Sequence, residues 1–230
     1  IRGGLEIVSQ LEPDILAITG DFVTWRGPRQ VEQTVSLLND LQPGRLATVA
    51  ITGNHDYGNS PWSDVSIADR ISDRMTGLGI QMLRNDSIDV AGLRLVGVDD
   101  YWSPDFNLQS ALESGNADSP TVALCHNPDA AIVEDWGDFR GWILSGHTHG
   151  GQVRAPFCDA RVLPIRNKAY AAGQFELAPG KTLYVNRALG YSRPVRFNVR
   201  PEITVFELQR PCTNEGPAAT IPRAPSSVHC

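Results

Sequence analysis

The sequence predicts a mixed α/β sandwich, in which two β-sheets pack on each other with helices outside. Through residues 1–150, short apolar, β-rich runs alternate with segments of helical periodicity. Beyond residue 150 the apolar runs succeed one another without helical segments between them, an antiparallel signature. The early runs also share an ending: each stops at a glycine or short polar turn carrying Asp, Asn or His.

Taken in order, Ile1, Leu5, Val8 and Leu11 recur at helical spacing, and Pro13 stops that helix. Residues 15–19 read as a buried strand ended by Gly20, with Asp21 just past its end. Pro28 opens a second helix whose apolar face is Val31, Val35, Leu38 and Leu41. Residues 46–51 form the next buried strand, followed by Gly53, Asn54, His55 and Asp56. A loop with Pro61 and Trp62 leads to a third helix marked by Ala68, Ile71, Met75 and Leu78. Residues 88–90 and 93–96 flank Ala91-Gly92 and read as a hairpin. Residues 103–119 are loop-like, with one helical turn near 108–113. Residues 121–125 are a buried strand delivering His126, and 130–136 a helix. Residues 142–144 are the strand into Gly146-His147-Thr148-His149-Gly150-Gly151. Residues 155–181 read as loop-rich, and 182–185 and 203–206 as strands.

At 41% hydrophobic and 20% charged, 230 residues suffice for one domain with a substantial core. The domain is placed at 1–208. Residues 209–230, with Pro211, Pro217, Pro222 and Pro225 among small polar neighbours, are expected to be a disordered tail. A net charge of −6 gives no composition suited to wrapping a nucleic-acid backbone. The four cysteines, Cys125, Cys158, Cys212 and Cys230, lack the close spacing of a zinc or redox motif, so free thiols are expected.

Four strand ends carry potential metal ligands: Asp21, Asn54 with His55 and Asp56, His126, and His147 with His149. Parallel strands in one sheet would bring those ends to one edge, where open α/β folds place ligands. One Asp, one Asn and three His form a nitrogen and oxygen set without thiolate, which suits Zn, Mn or Fe.

The ordered set Gly20-Asp21, Gly53-Asn54-His55-Asp56, His126 and Gly146-His147-Thr148-His149 resembles the calcineurin-like metallophosphoesterase superfamily, over most of residues 14–150. Residues 97–100, 125–129, 150–153, 183–190 and 201–204 further resemble a bacterial subgroup of phosphodiesterases. The resemblance implies a four-layer α/β/β/α sandwich and two divalent metal ions. It implies that Asp21 bridges them, that Asn54, His126 and His147 complete one metal, and that His149 joins the other. It implies hydrolysis of a phosphodiester or pyrophosphate, small or lipid-linked, by hydroxide generated at the metals. His55 would stabilise the transition state and protonate the leaving oxygen, and Asp56 would orient His55. A phosphomonoesterase or phosphoprotein phosphatase, and a non-catalytic scaffold of the same fold, stay as alternatives. The family's first Asp-x-His strand has no counterpart, because residues 1–12 hold no Asp or His. The chain opens at Ile1, so that strand, and any membrane anchor or signal, is expected upstream. Localisation stays open between bacterial cytoplasm and membrane. Asp99 and Asp100 read as supporting acids, Tyr101 and Trp102 as loop packing, and Thr24 is assigned no ligand role. Substrate-binding residues are not assigned, with Gln152 and Arg187 the weak candidates.

Overall fold

Sheet pairing divides most of the strands into two packed layers. A computed structural model describes residues 1–24, 27–58, 64–154, 163–191, 194–209 and 226–229. The first sheet is parallel, in the order β1 (Ile15–Ile18), β2 (Ala47–Ala50), β3 (Gln81–Met82). The second has six strands in the order β4 (Asp86–Val90), β5 (Leu93–Val98), β6 (Thr121–Cys125), β7 (Gly141–Ser145), β9 (Lys181–Val185), β8 (Gly173–Ala178). Its centre is parallel, and its two edge strands, β4 and β8, pair antiparallel. The first pairing is a hairpin through Ala91 and Gly92, both at positive φ, and the register places Val90 opposite Leu93. The expected ligand-bearing strands therefore sit on two sheets rather than one: β1 and β2 on the first, β6 and β7 on the second.

Strand alternation sorts the side chains into layers. Val49, Ile51, Leu83, Leu95 and Leu124 are buried between the sheets. On the far side of the first sheet, Ala50 packs with Val31 of α2 (Arg29–Leu38) and with Ile71 and Met75 of α3 (Val65–Thr76). On the far side of the second, Val96, Val98, Ala123, Cys125 and Ile143 meet Leu108 and Ala111 of α4 (Leu108–Glu113) and Ala130 and Ala131 of α5 (Pro128–Val133). The result is the expected α/β/β/α sandwich. The N-terminal helix α1 (Arg2–Leu11) has Val8 as its buried apolar residue.

Several element boundaries differ from the sequence reading. Helix α5 starts at Pro128 because Asn127 caps it, its side chain accepting from Asp129 N at 3.0 Å. Strand β8 lies inside the segment expected to be loop, and β3 pairs through only two residues. A strand β10 (Glu202–Val205) pairs antiparallel with β11 (Ser226–His229), inside the stretch expected to be a disordered tail. The tail's prolines, the loop at Pro61 and Trp62, and Cys158, Cys212 and Cys230 lie outside the described residues. Cys125 is a buried free thiol, as its apolar run suggested. Among the described residues no helix is long and apolar enough to cross a membrane.

The sheets approach closely at Gly97 of β5. A Cβ there would collide with Leu83 Cβ and come within 2.8 Å of Ile51 Cγ2. A methyl group at this point overfills a layer with no slack, and that typically costs about 1–3 kcal/mol. Gly97→Ala is expected to lower the urea midpoint accordingly with an unchanged m-value. A midpoint equal to that of the parent protein would contradict the packing described.

Candidate metal centre

The ends of β1, β2, β6 and β7 meet at one edge of the sandwich. Asp21 follows β1 through Gly20, both in the left-handed region at φ 59 and 90. Past β2, residues Asn54–Tyr57 form a single 3-10 turn. The two loops nearly touch, and glycine permits it. A Cβ on Gly20 would lie 2.5 Å from Gly53 N, and a Cβ on Gly53 would strike the Asp21 carboxylate and lie 2.7 Å from His126 Cε1.

Asp56 ties these loops together. Its side chain is fully buried. Oδ2 accepts from Gly53 N at 2.9 Å and Asp21 N at 3.0 Å, while Oδ1 accepts from Val23 N at 3.2 Å. Burial and the neighbouring Asp21 charge push its carboxyl up to about 7, against the backbone donors that pull it down. Its oxygens are thus engaged by backbone amides. His55 itself lines the same cavity and donates its backbone N–H to Asp21 Oδ1 at 3.0 Å.

Four acceptor atoms converge above this base. His126 Nδ1 lies 2.6 Å from the Thr19 carbonyl, so the proton belongs on Nδ1 and the Nε2 lone pair points inward. His147 Nε2 lies 3.1 Å from the Pro164 carbonyl, which by the same argument frees the lone pair of Nδ1. His126 Nε2 is 3.3 Å from His147 Nδ1, 3.3 Å from Asn54 Oδ1 and 3.3 Å from Asp21 Oδ2. Asn54 Oδ1 is 2.8 Å from His147 Nδ1. The donor atoms of Asp21, His126 and His147 all lie within 4.8 Å of one another. In the metal-free protein a proton on His126 Nε2 relieves the repulsion among these acceptors, and a cation would take that proton's place. The set therefore fits a divalent metal of the nitrogen and oxygen class.

His126 and His147 respond oppositely to this crowding. Burial alone would lower His126, but the charge and hydrogen bond of Asp21, with Asp100 and the Thr19 carbonyl, raise it to about 9. Burial and the adjacent His126 lower His147 to about 3. Burial would raise Asp21, yet His126 and His55 hold it well below the usual carboxylate range.

His149 stands apart from the three-residue cluster. It lines the same cavity, and its backbone is left-handed at φ 49, as that of His147 is at φ 66. Burial lowers its pKa to about 4, opposed by Asp21 and reinforced by Arg196.

Some contributors were absent from the sequence reading. The loop that carries the Pro164 carbonyl is fastened two residues on by Asp129, whose oxygens accept from Arg166 N at 3.1 and 2.8 Å. Thr52 Oγ1 donates to buried Asp99 at 2.9 Å, and Arg84 Nε bonds the same carboxylate at 3.0 Å. Asp99 therefore braces the end of β2. Trp102 packs edge-on against His147 at 4.9 Å, so it touches the site rather than only a loop. Asp100 is buried beside Cys125 and His126, and burial raises its carboxyl to about 6. Arg187 pairs with Glu202 at 2.7 Å, and Gln152 donates to the Val195 carbonyl at 2.8 Å.

A two-sheet sandwich gathering such donors at its strand ends is the framework of a metal-dependent phosphoester hydrolase. The family model for calcineurin-like phosphoesterases matches residues 5–151, and the chain belongs to that family. It is 33% identical over 211 residues to an uncharacterized metallophosphoesterase, YkuE of Bacillus subtilis, covering 88% of this chain and 70% of that protein. It is 30% identical to the phosphodiesterase YaeI of Escherichia coli, covering 90% of this chain and 75% of that one. It is 26% identical to the UDP-2,3-diacylglucosamine pyrophosphatase LpxG of Chlamydia trachomatis, covering 86% and 75%. The chain is a metallophosphoesterase, and its family uses divalent metals.

The raised His126 pKa sets the pH behaviour of the metal-free protein. Between pH 6.5 and about 9 the folded state holds a proton that the unfolded chain has released. This stabilisation is complete below pH 6.5 and is lost as pH rises through 9. Chelator-treated protein should therefore melt lower at pH 9 than at pH 6.5. His126→Asn should flatten that limb, and a limb unchanged by the substitution would refute the assignment. Because metal displaces the same proton, affinity should climb over the same interval.

Proposed function

We propose that the chain hydrolyses phosphodiesters or pyrophosphates with a pair of divalent metals. The observation that carries this reading is the convergence of Asp21, Asn54, His126 and His147 on one point, with His55 and His149 lining the same cavity. Asn54, His126 and His147 would hold one metal, and Asp21 would bridge it to a second that takes His149. Mn, Fe or Zn fits these donors equally. Divalent metal, once bound, supplies Lewis-acid polarisation of the phosphoryl oxygens and an activated water.

The rest of the chemistry falls to the chain. His55 sits on the turn stapled by Asp56, beside the Asp21 carboxylate, and donates a proton to the leaving oxygen. Asn54 adds an oxygen to the site without adding charge. Asp56 positions the turn through its backbone bonds. The phosphodiesterase and pyrophosphatase names of the relatives favour diester or anhydride substrates over monoesters.

We also propose that an Asp-x-His strand completes the second metal by adding beside β1. Among the described residues β1 is an edge strand. Leu16 and Ile18 line a cavity of about 2690 Å³ together with Leu124, Trp142 and Leu144. An apolar hollow beside an open strand edge is suited to one more strand.

Hydrolysis of bis(p-nitrophenyl) phosphate with added Mn²⁺ tests the first reading. Activity is expected to exceed that on the monoester. His55→Ala is expected to reduce kcat about 10²–10⁴-fold, the range for a lost general acid, with metal content retained. Turnover indifferent to His55→Ala would rule out the proton-transfer role. For the second reading, a chain extended upstream is expected to bind two metal equivalents and melt higher. Extension that changes neither would dismiss the added strand.

A further inference from the structure

Charge is distributed very unevenly along the chain. Residues 152–200 hold nine Lys and Arg against two acids, a net of +7, while the other residues sum to −13. The same segment exposes large apolar side chains. Val153, Val195 and Phe197 are 52%, 58% and 56% exposed, and Tyr191 is 45% exposed. Other exposed apolar residues, Ile1, Leu11 and Leu46, border the cavity beside β1, whereas Val153, Val195 and Phe197 do not line it. Their exposure has a different origin.

These side chains stand on a braced platform. Phe197 N donates to Gln152 O at 3.0 Å, Arg154 N to Phe197 O at 3.0 Å, and Gln152 Nε2 to Val195 O at 2.8 Å. Val153 and Phe197 are paired as a β-bridge. With these backbone groups bonded across the two segments, the apolar groups are presented outward rather than folded in. Beneath the platform, Arg196 donates from Nη2 to the carbonyls of Arg187 at 2.9 Å and Ala188 at 3.2 Å, fixing the neighbouring loop. Arg200 is exposed at the platform's edge. The face begins one residue after the His149–Gly151 turn, and Tyr191 both reaches the surface and lines the cavity that His147 and His149 line.

Clustered apolar groups in a strongly basic stretch, with Arg200 exposed beside them, match a surface that is apolar below and anionic above. Charge alone would suit any polyanion, but a polyanion leaves Val195 and Phe197 in water. We propose that this face docks on an anionic phospholipid bilayer, with Val153, Val195 and Phe197 in the headgroup boundary and Arg200 against lipid phosphates. Docking in this pose would set the metal cavity's mouth beside the membrane surface. The proposal does not depend on the reaction proposed above.

Co-sedimentation of the full chain with vesicles tests it. Vesicles containing phosphatidylglycerol are expected to bind at least about tenfold more protein than phosphatidylcholine alone, with binding weakened by salt. The V195S/F197S double variant and R200E should each lose about tenfold of that binding while retaining the parent's circular dichroism and melting point. As a check independent of lost binding, the difference emission between F197W and the parent should shift to the blue on adding anionic vesicles. Equal sedimentation with neutral vesicles would overturn the proposal, as would an unshifted F197W difference. Loss in R200E without loss in V195S/F197S would mark a general polyanion surface and also overturn it.

Discussion

The site depends on one buried carboxylate. Asp56 is withdrawn from solvent, and it takes backbone N–H groups from Gly53, Asp21 and Val23. Those residues belong to loops after two different strands, so one side chain sets the spacing of Asp21 and Asn54. A buried carboxylate is costly to leave unbonded, and three amide donors offset that cost. The bonds are short in sequence only for Gly53. The bonds to Asp21 and Val23 span more than thirty residues and form only when β1 and β2 are already paired. The loop geometry is thus a consequence of the sheet, and the Asp21 carboxylate is positioned before any ligand arrives.

The same logic of long-range constraint runs through the imidazoles. His126 and His147 each commit one ring nitrogen to a carbonyl, Thr19 on one side and Pro164 on the other. Thr19 ends β1, and Pro164 lies in a loop clamped by Asp129 at the start of α5. The remaining ring nitrogens meet at 3.3 Å. Left-handed backbone at Asp21, His147 and His149 belongs to the same picture, since non-glycine residues adopt it at a cost and it concentrates at working sites.

Much of this was legible in the sequence for identifiable reasons. The buried strands were continuous apolar runs closed by glycine, and the helices had period-3.6 faces, so the sandwich followed from local pattern. The ligand-bearing residues stood immediately after those runs, and position alone made them candidates. Other features were hidden. Strand β3 is two residues long, and β8, Gly173–Ala178, has only a partial alternation inside a segment crowded with turn residues. The division of the ligand strands between two sheets cannot be read from periodicity, because a buried parallel strand looks alike in either sheet. The Arg84–Asp99–Thr52 brace joins residues far apart in sequence, and neither charge pattern nor motif signals it. Asp56 illustrates the limit most clearly. Its bonds to three backbone amides depend on the 3-10 turn after β2 and on the pairing of β1 with β2, which no local pattern signals.

The electrostatic design also has two scales. Close to the site, acceptors are crowded together and the charge of Asp21 keeps His126 protonated in the metal-free protein. Over the whole chain, acids outnumber bases, yet residues 152–200 reverse that balance. Residues 152–200 therefore carry the chain's one large excess of positive charge. Screening at physiological salt acts within about 8 Å, so local charge rather than net charge governs the final approach. Tyr191, which borders both the cavity and the surface, marks where the basic face and the acceptor-rich site adjoin. The strand ends gather donors for a cation, and the segment beyond β7 carries charge of the opposite sign to the rest of the chain.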